Sequence, residues 1–274
     1  MENSAKISHV VEMRTVRTRG FALRNEHGAL GFLFEPLVAA NAIAPSLGGF
    51  WISVFFIGAF LTRQPLRIYL ADRAANRNLP QTAVALKFMS IYGSIAAIGA
   101  IGAFWFAKID SFIPLLVVAP FGIYQVYCDV SRKSRQLLPE LTGSIAISSS
   151  AAMIALAGGW RFTAALALWA IFISRLVPSI LYVRNRLKLE KGKEFSLTPV
   201  FISSFVALCA VGLMAGNGLA SIITLGVFVV LLLRAVIGLS PYRRRIKAMK
   251  IGIWEVIYGV LTVLSVIIGY YAGF

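Results

Sequence analysis

Aspartate is nearly missing from this chain: among 274 residues there are three, Asp72, Asp110 and Asp129. Magnesium in enzyme sites is held by carboxylate oxygens together with substrate phosphates, so the sequence carries no aspartate-rich metal motif. Cysteine is equally scarce. Cys128 and Cys209 both fall in apolar stretches, which excludes a disulfide framework and paired thiol ligands. Of two histidines, His27 sits between Glu26 and Gly28 with no second histidine or cysteine near it, so no zinc site is expected. The phosphate-loop, nucleophile-elbow and H-E-x-x-H patterns are all absent. Charge itself is thin, at 14% of residues against about 25% in ordinary soluble domains.

What fills the chain is apolar: 58% of residues are hydrophobic and the mean hydropathy is +0.79. Apolar segments lie at 29–46, 48–62, 84–107, 112–128, 141–158, 162–183, 199–214, 218–239 and 252–273. A helical membrane span takes roughly 17 to 25 residues, and irregular backbone or open strands in lipid would leave amides unpaired. The fold class expected is therefore all-α, a polytopic transmembrane bundle of about nine helices. The first two segments are short and parted only by "PSLGG", so a single re-entrant pair is the alternative there. Residues 1–28 form a basic arm without a secretory cleavage pattern, and 29–274 read as one helical domain.

The formal net charge of +16 comes from 27 Lys and Arg against 11 Asp and Glu. The cations gather in the arm, "RQPLRIYLADRAANRN", "SRKSR", "RNRLKLEKGK" and "PYRRRIKAMK", whereas the opposite connections hold only Lys108 and Arg161. By the positive-inside rule this predicts a cytoplasmic N-terminus and an outside C-terminus. Orientation thus accounts for the charge, and a nucleic-acid partner is not expected. The partner expected is the lipid bilayer, with anionic headgroups near the basic connections.

Ionisable residues inside spans are costly and usually face the bundle interior. "LRNEHGALGFLFEP" sets Glu35 in the first apolar segment, followed at once by Pro36. Glu35 lies about 13 Å from Glu26 along a helix, and Arg175 about 12 Å from Val183, so the two can meet. Either they form an interior ion pair that fixes packing, or they line a polar cavity beside a proline kink. Arg63, Arg67, Asp72, Asp129, Arg132, Arg135, Glu140 and Tyr182 gather at the same end as candidate substrate-binding residues. Arg63 and Arg67 are four apart and would share a helix face, and arginine suits phosphate or carboxylate. Positive-inside decoration explains many of these cations equally well. Glu26 and His27 are the candidate proton-moving groups, and no metal ligands are assigned. Glu190 and Glu194, four apart, could form one weak magnesium pair, but solvated pairing with the neighbouring Lys188, Lys191 and Lys193 is the stronger expectation.

The motifs "NEHGALGFLFEPLVA", "FLTRQPLRIYLADR", "YCDVSRKSRQLLPELTGSIAIS" and "SRLVPSILYVRNRLKLEKG" resemble the YwiC-like membrane proteins over residues 24–190. That family brings no established activity. A more distant resemblance is to the UbiA-type prenyltransferases, which implies nine helices around a lipid-open cavity and an isoprenoid substrate. Those enzymes hold magnesium on aspartate-rich loops after helices two and six; here the first such loop offers Asp72 alone. A cavity handling an isoprenoid or quinone-like lipid without the two-magnesium site is one expectation, and a cofactor is not assigned. Glu35, Arg175, Arg234 and Glu255 would suit a transporter or lipid-binding protein equally well. An assembly partner of a membrane complex is the third class. The bacterial inner or plasma membrane is the expected location.

Overall fold

A computed structural model describes residues 27–76, 79–131 and 136–273, with the side chains of 27–29 outside that description. Among the described residues the regular structure is all helical, without strands. The helices are α1 (His27–Ile43), α2 (Leu47–Ala74), α3 (Pro80–Phe106), α4 (Ile113–Val130), α5 (Leu137–Ser148), α6 (Ser150–Ala157), α7 (Phe162–Glu190), α8 (Thr198–Gly216), α9 (Ile222–Leu239) and α10 (Ala248–Tyr271), with one 3₁₀ turn at Ile109–Phe112. Eight segments are long and apolar enough to cross a membrane, counting α5 with α6 as one and the 3₁₀ turn with α4; α1 is a shorter apolar helix.

The second segment is not a short re-entrant piece. It runs for 28 residues and carries "RQPLRIYLADR", expected as a loop, inside α2 as far as Arg73. Leu, Arg and Ala are good helix formers and long cationic stems can lie along apolar surface, so the helix outlasts its apolar stretch. The sixth segment likewise extends to Glu190. At the other end of α2, Ser46 accepts a hydrogen bond from the Gly49 amide at 2.9 Å, an N-cap that lets the chain reverse within a few residues. Asn41 Nδ2 then ties α1 to α2 through Ser53 Oγ at 2.7 Å.

The fifth segment is broken at Ser149. Ser148 and Ser149 donate back to the carbonyls of Ile145 and Ala146 at 2.9 and 2.7 Å, the side-chain competition with the helix ladder that bends helices. The fragment after the break, α6, is buried from Ser150 to Leu156 and touches α1, α2 and α7. The core cluster accordingly draws on α1, α2, α6 and α7, with Leu33, Ile52, Ile154 and Phe172 among its members. The first helix also packs against the last, α1 on α10, which closes the bundle.

The small-residue run "GSIAAIGAIG" is in part a contact face, as expected from such spacing. At Gly99 and Gly102 a Cβ would strike Phe55 backbone and the Trp51 ring of α2, whereas Gly93 faces open space. α2 and α3 share the most extensive helix–helix contact among the described residues.

Candidate functional site

Four ionisable side chains meet inside the bundle: Glu35 of α1, Arg175 of α7, Arg234 of α9 and Glu255 of α10. All are buried, Arg175 completely. Arg234 Nη1 donates to Glu255 Oε1 at 2.6 Å. Arg175 reaches Glu255 twice, from Nη1 to Oε2 at 3.4 Å and from Nη2 to the Glu255 carbonyl at 3.0 Å. On its other side Arg175 Nε lies 3.7 Å from Glu35 Oε2. Ser179, one turn after Arg175, accepts from Arg175 and, at 3.4 Å, from Arg234. Two cations therefore balance two carboxylates, which is the condition under which charges survive away from water.

The quartet is tight around Glu255 and loose around Glu35. Glu35 Oε2 and Arg175 Nε have no hydrogen-bond partner among the described residues. Room for the Glu35 side chain comes from Gly259 of α10, where an added Cβ would stand 2.6 Å from Glu35 Cδ. Pro36 acts beside it: a proline within α1 has no N–H to give the Phe32 carbonyl. Phe32 and Glu35 both border a cavity of about 280 Å³.

That cavity has a charged end and an apolar wall. Glu35, Glu255, Glu140 and Arg63 line it together with Phe60, Ile147 and Ile180. Arg63 is held from behind by Asp129, with Nε to Oδ2 at 2.5 Å and Nη2 to Oδ1 at 3.0 Å. The Gln125 amide, in the orientation that satisfies both its ends, accepts from Arg63 and donates to the Pro139 carbonyl. Glu140 receives Arg184 Nη1 at 2.5 Å, with both side chains about a third exposed (31% and 41%). The polar wall carries three carboxylates to one arginine, so it presents hydrogen-bond acceptors more than an anion clamp.

Of the residues singled out from sequence, Glu35, Arg175, Arg63, Asp129 and Glu140 are brought to this cavity or to the side chains that line it. Others lie elsewhere. Asp72 accepts from Thr82 Oγ1 at 2.7 Å and Gln81 Nε2 at 3.2 Å, so it ties α2 to α3. Arg67 shares a helix with Arg63 but does not border the cavity. Tyr182 lines a neighbouring cavity under the Arg234 guanidinium, 4.3 Å from its ring centre. Glu26, Arg132 and Arg135, like the His27 side chain, fall outside the described residues. Glu190 is engaged by Arg186 at 3.0 Å, and Glu194 is exposed. No group of three potential metal ligands comes together among the described residues.

Sequence reading missed Ser179, Gly259 and Gln125. Two left a signal: Ser179 follows Arg175, and Gly259 follows Glu255, by four residues, the spacing that puts side chains on one helix face. Gln125 could be seen only once α4 and α5 were packed together.

Alternating apolar helices around a buried ionic cluster define a polytopic α-helical membrane protein. Residues 23–155, a little under half of the chain, match the family model described as YwiC-like protein. The match takes in Glu35, Arg63, Asp129 and Glu140 and ends within α6, before Arg175, Arg234 and Glu255. No curated protein and no solved structure matches, so nothing in these comparisons supports the more distant prenyltransferase resemblance.

Proposed function

We propose that the protein binds an amphipathic isoprenoid or quinone-like lipid, with its hydroxyl- or carbonyl-bearing head in the cavity beside Glu35 and no metal-held diphosphate. The observation that carries this reading is Glu35, whose Oε2 accepts no hydrogen bond among the described residues and whose side chain borders a cavity of about 280 Å³ with a largely apolar remaining wall. A buried carboxylate oxygen without a donor is costly, and a ligand hydroxyl would satisfy it. Val256, on the same cavity, is 44% exposed on the flank of α10, which supports access for a lipid tail from the bilayer. The cation asymmetry supports a cell membrane location, bacterial inner or plasma membrane, with the basic end in the cytoplasm.

The test is thermal stability of detergent-purified full-length protein with a quinol, a prenyl alcohol or a prenyl diphosphate, each in magnesium and in EDTA. A ligand that prefers the native state raises the midpoint. The quinol or the prenyl alcohol is expected to do so equally in both buffers, and Ser144→Leu, which fills the cavity without touching a charge, to abolish the shift. No shift from either neutral lipid, or a diphosphate shift that requires magnesium, overturns the reading.

A second reading is favoured by one observation: Glu255 borders two cavities, that of Glu35 and the neighbouring one under Tyr182. A proton or small ion could be handed along such a buried chain. Proton flux in proteoliposomes that is lost in Glu35→Gln, with no response to neutral lipids, would favour transport instead.

A further inference from the structure

The neighbouring cavity, about 420 Å³ between α7, α9 and α10, is of opposite character. Arg186, Arg234, Arg243 and Arg244 line it against one carboxylate, Glu255. Cations that merely mark the cytoplasmic side extend into water; Arg186 and Arg234 are instead buried, at 3% and 8% exposure. Arg186 is also built into its place. It donates to the carbonyls of Gly238 and, at 2.6 Å, Arg244, so the chain between α9 and α10 is fastened over the cavity. Glu190 partly offsets two of the arginines, 3.0 Å from Arg186 and 3.8 Å from Arg243. An excess of positive charge remains, carried by the part-buried Arg243 and the exposed Arg244 at the cavity's outer edge.

The rest of the wall is aromatic and apolar. Arg234 lies over the rings of Tyr182 and Tyr258, at 4.3 and 5.0 Å from their centres. Ile237 of α9 and Trp254 of α10 both border the cavity and are exposed on the flanks of their spans. The cavity therefore opens sideways between two membrane-crossing helices while its cations lie at the basic end. Guanidinium forks match phosphate oxygens, and the lateral opening leads an alkyl chain into the bilayer.

We infer that this arginine-lined cavity between α7, α9 and α10 binds the phosphate head of an amphipathic anion whose apolar chain lies between α9 and α10. This site adjoins the Glu35 cavity, sharing Glu255 with it, and takes the opposite class of headgroup. The phosphate could also arrive as a soluble ion, and the experiment separates the two sources.

Full-length protein in phosphatidylcholine nanodiscs would be titrated with dioctanoyl phosphatidic acid, with dioctanoyl phosphatidylcholine and with inorganic phosphate. Phosphatidic acid should bind, and inorganic phosphate should be no effective competitor. Arg243→Gln with Arg244→Gln is expected to weaken phosphatidic acid binding about ten-fold, the loss of charge-assisted hydrogen bonds. Arg245→Gln with Lys247→Gln removes the same charge from the same connection without touching the cavity wall, and should change binding by less than about two-fold. Both double variants leave the buried Arg186 in place, and an unchanged thermal midpoint without lipid shows that each is folded. Equal weakening by the two double variants, equal binding of phosphatidylcholine, or equal affinity for inorganic phosphate overturns the inference. None of these outcomes bears on quinol binding at Glu35, which Ser144→Leu tests.

Discussion

The buried quartet and the Arg184–Glu140 pair use the same chemistry in two settings. Arg175 is wholly enclosed and Glu35 and Glu255 nearly so, whereas Arg184 and Glu140 keep 31% and 41% of their side chains exposed. By distance alone the exposed pair is the better bond, at 2.5 Å against 3.7 Å for Arg175 with Glu35. Distance is the wrong measure of consequence. Water can replace a lost partner at the rim, but nothing replaces it inside, so the buried groups depend on one another as a set.

The largest effect is expected at Glu255, which among the described residues is the carboxylate ion-paired with both arginines of the quartet. Glu255→Gln leaves Arg175 and Arg234 with Glu35 alone and should cost about 3 to 5 kcal/mol, the range for breaking a buried ion pair. Thermal or denaturant unfolding in detergent measures it. Adding Arg234→Gln restores the charge balance and should recover much of that loss; strict additivity of the two would show that the quartet is not a coupled unit.

Next comes a residue with no charge. Gly259→Ala drives a methyl group into the Glu35 carboxylate, and overpacking of this kind costs about 1 to 3 kcal/mol. Glu35→Asp, one methylene shorter, should return part of the stability in the same assay. A harmless Gly259→Ala would mean that Glu35 moves freely and is not held by the quartet.

The smallest effect is expected at the rim. Arg184→Gln should lower stability by about 0 to 1 kcal/mol, and salt should shrink the difference, as screening of an exposed pair requires. A loss as large as that of Glu255→Gln would place Arg184 in the buried network and erase the contrast.

How much of this was legible beforehand depends on which forces set each feature. All nine apolar segments correspond to helical segments in the described residues, because hydrophobic length is a one-dimensional property. The ends were misread where polar residues continue a helix, as at Arg63 to Arg73 in α2. The break at Ser149 was written in three consecutive serines, yet nothing in their order said whether they would cap, bend or simply pack. Among site residues, Glu35 and Arg175 could be matched by depth, and they lie 3.7 Å apart. The supposed anion clamp of Arg63 and Arg67 was different. Their shared helix is present, but Asp129, distant in sequence, takes Arg63, and the buried arginines are instead Arg175, Arg186 and Arg234.

By itself, then, the sequence determined that this chain is helical and membrane-spanning. Those properties follow from composition, segment length and the cost of leaving backbone or charge unsatisfied in lipid. Only the tertiary structure decided which charges meet, which carboxylate oxygen lacks a hydrogen bond, and that the charged side chains lining two adjoining cavities differ in predominant sign. These depend on helix rotation and neighbour order, set by glycines such as Gly259 and by close packing across the bundle, and a linear pattern does not encode them.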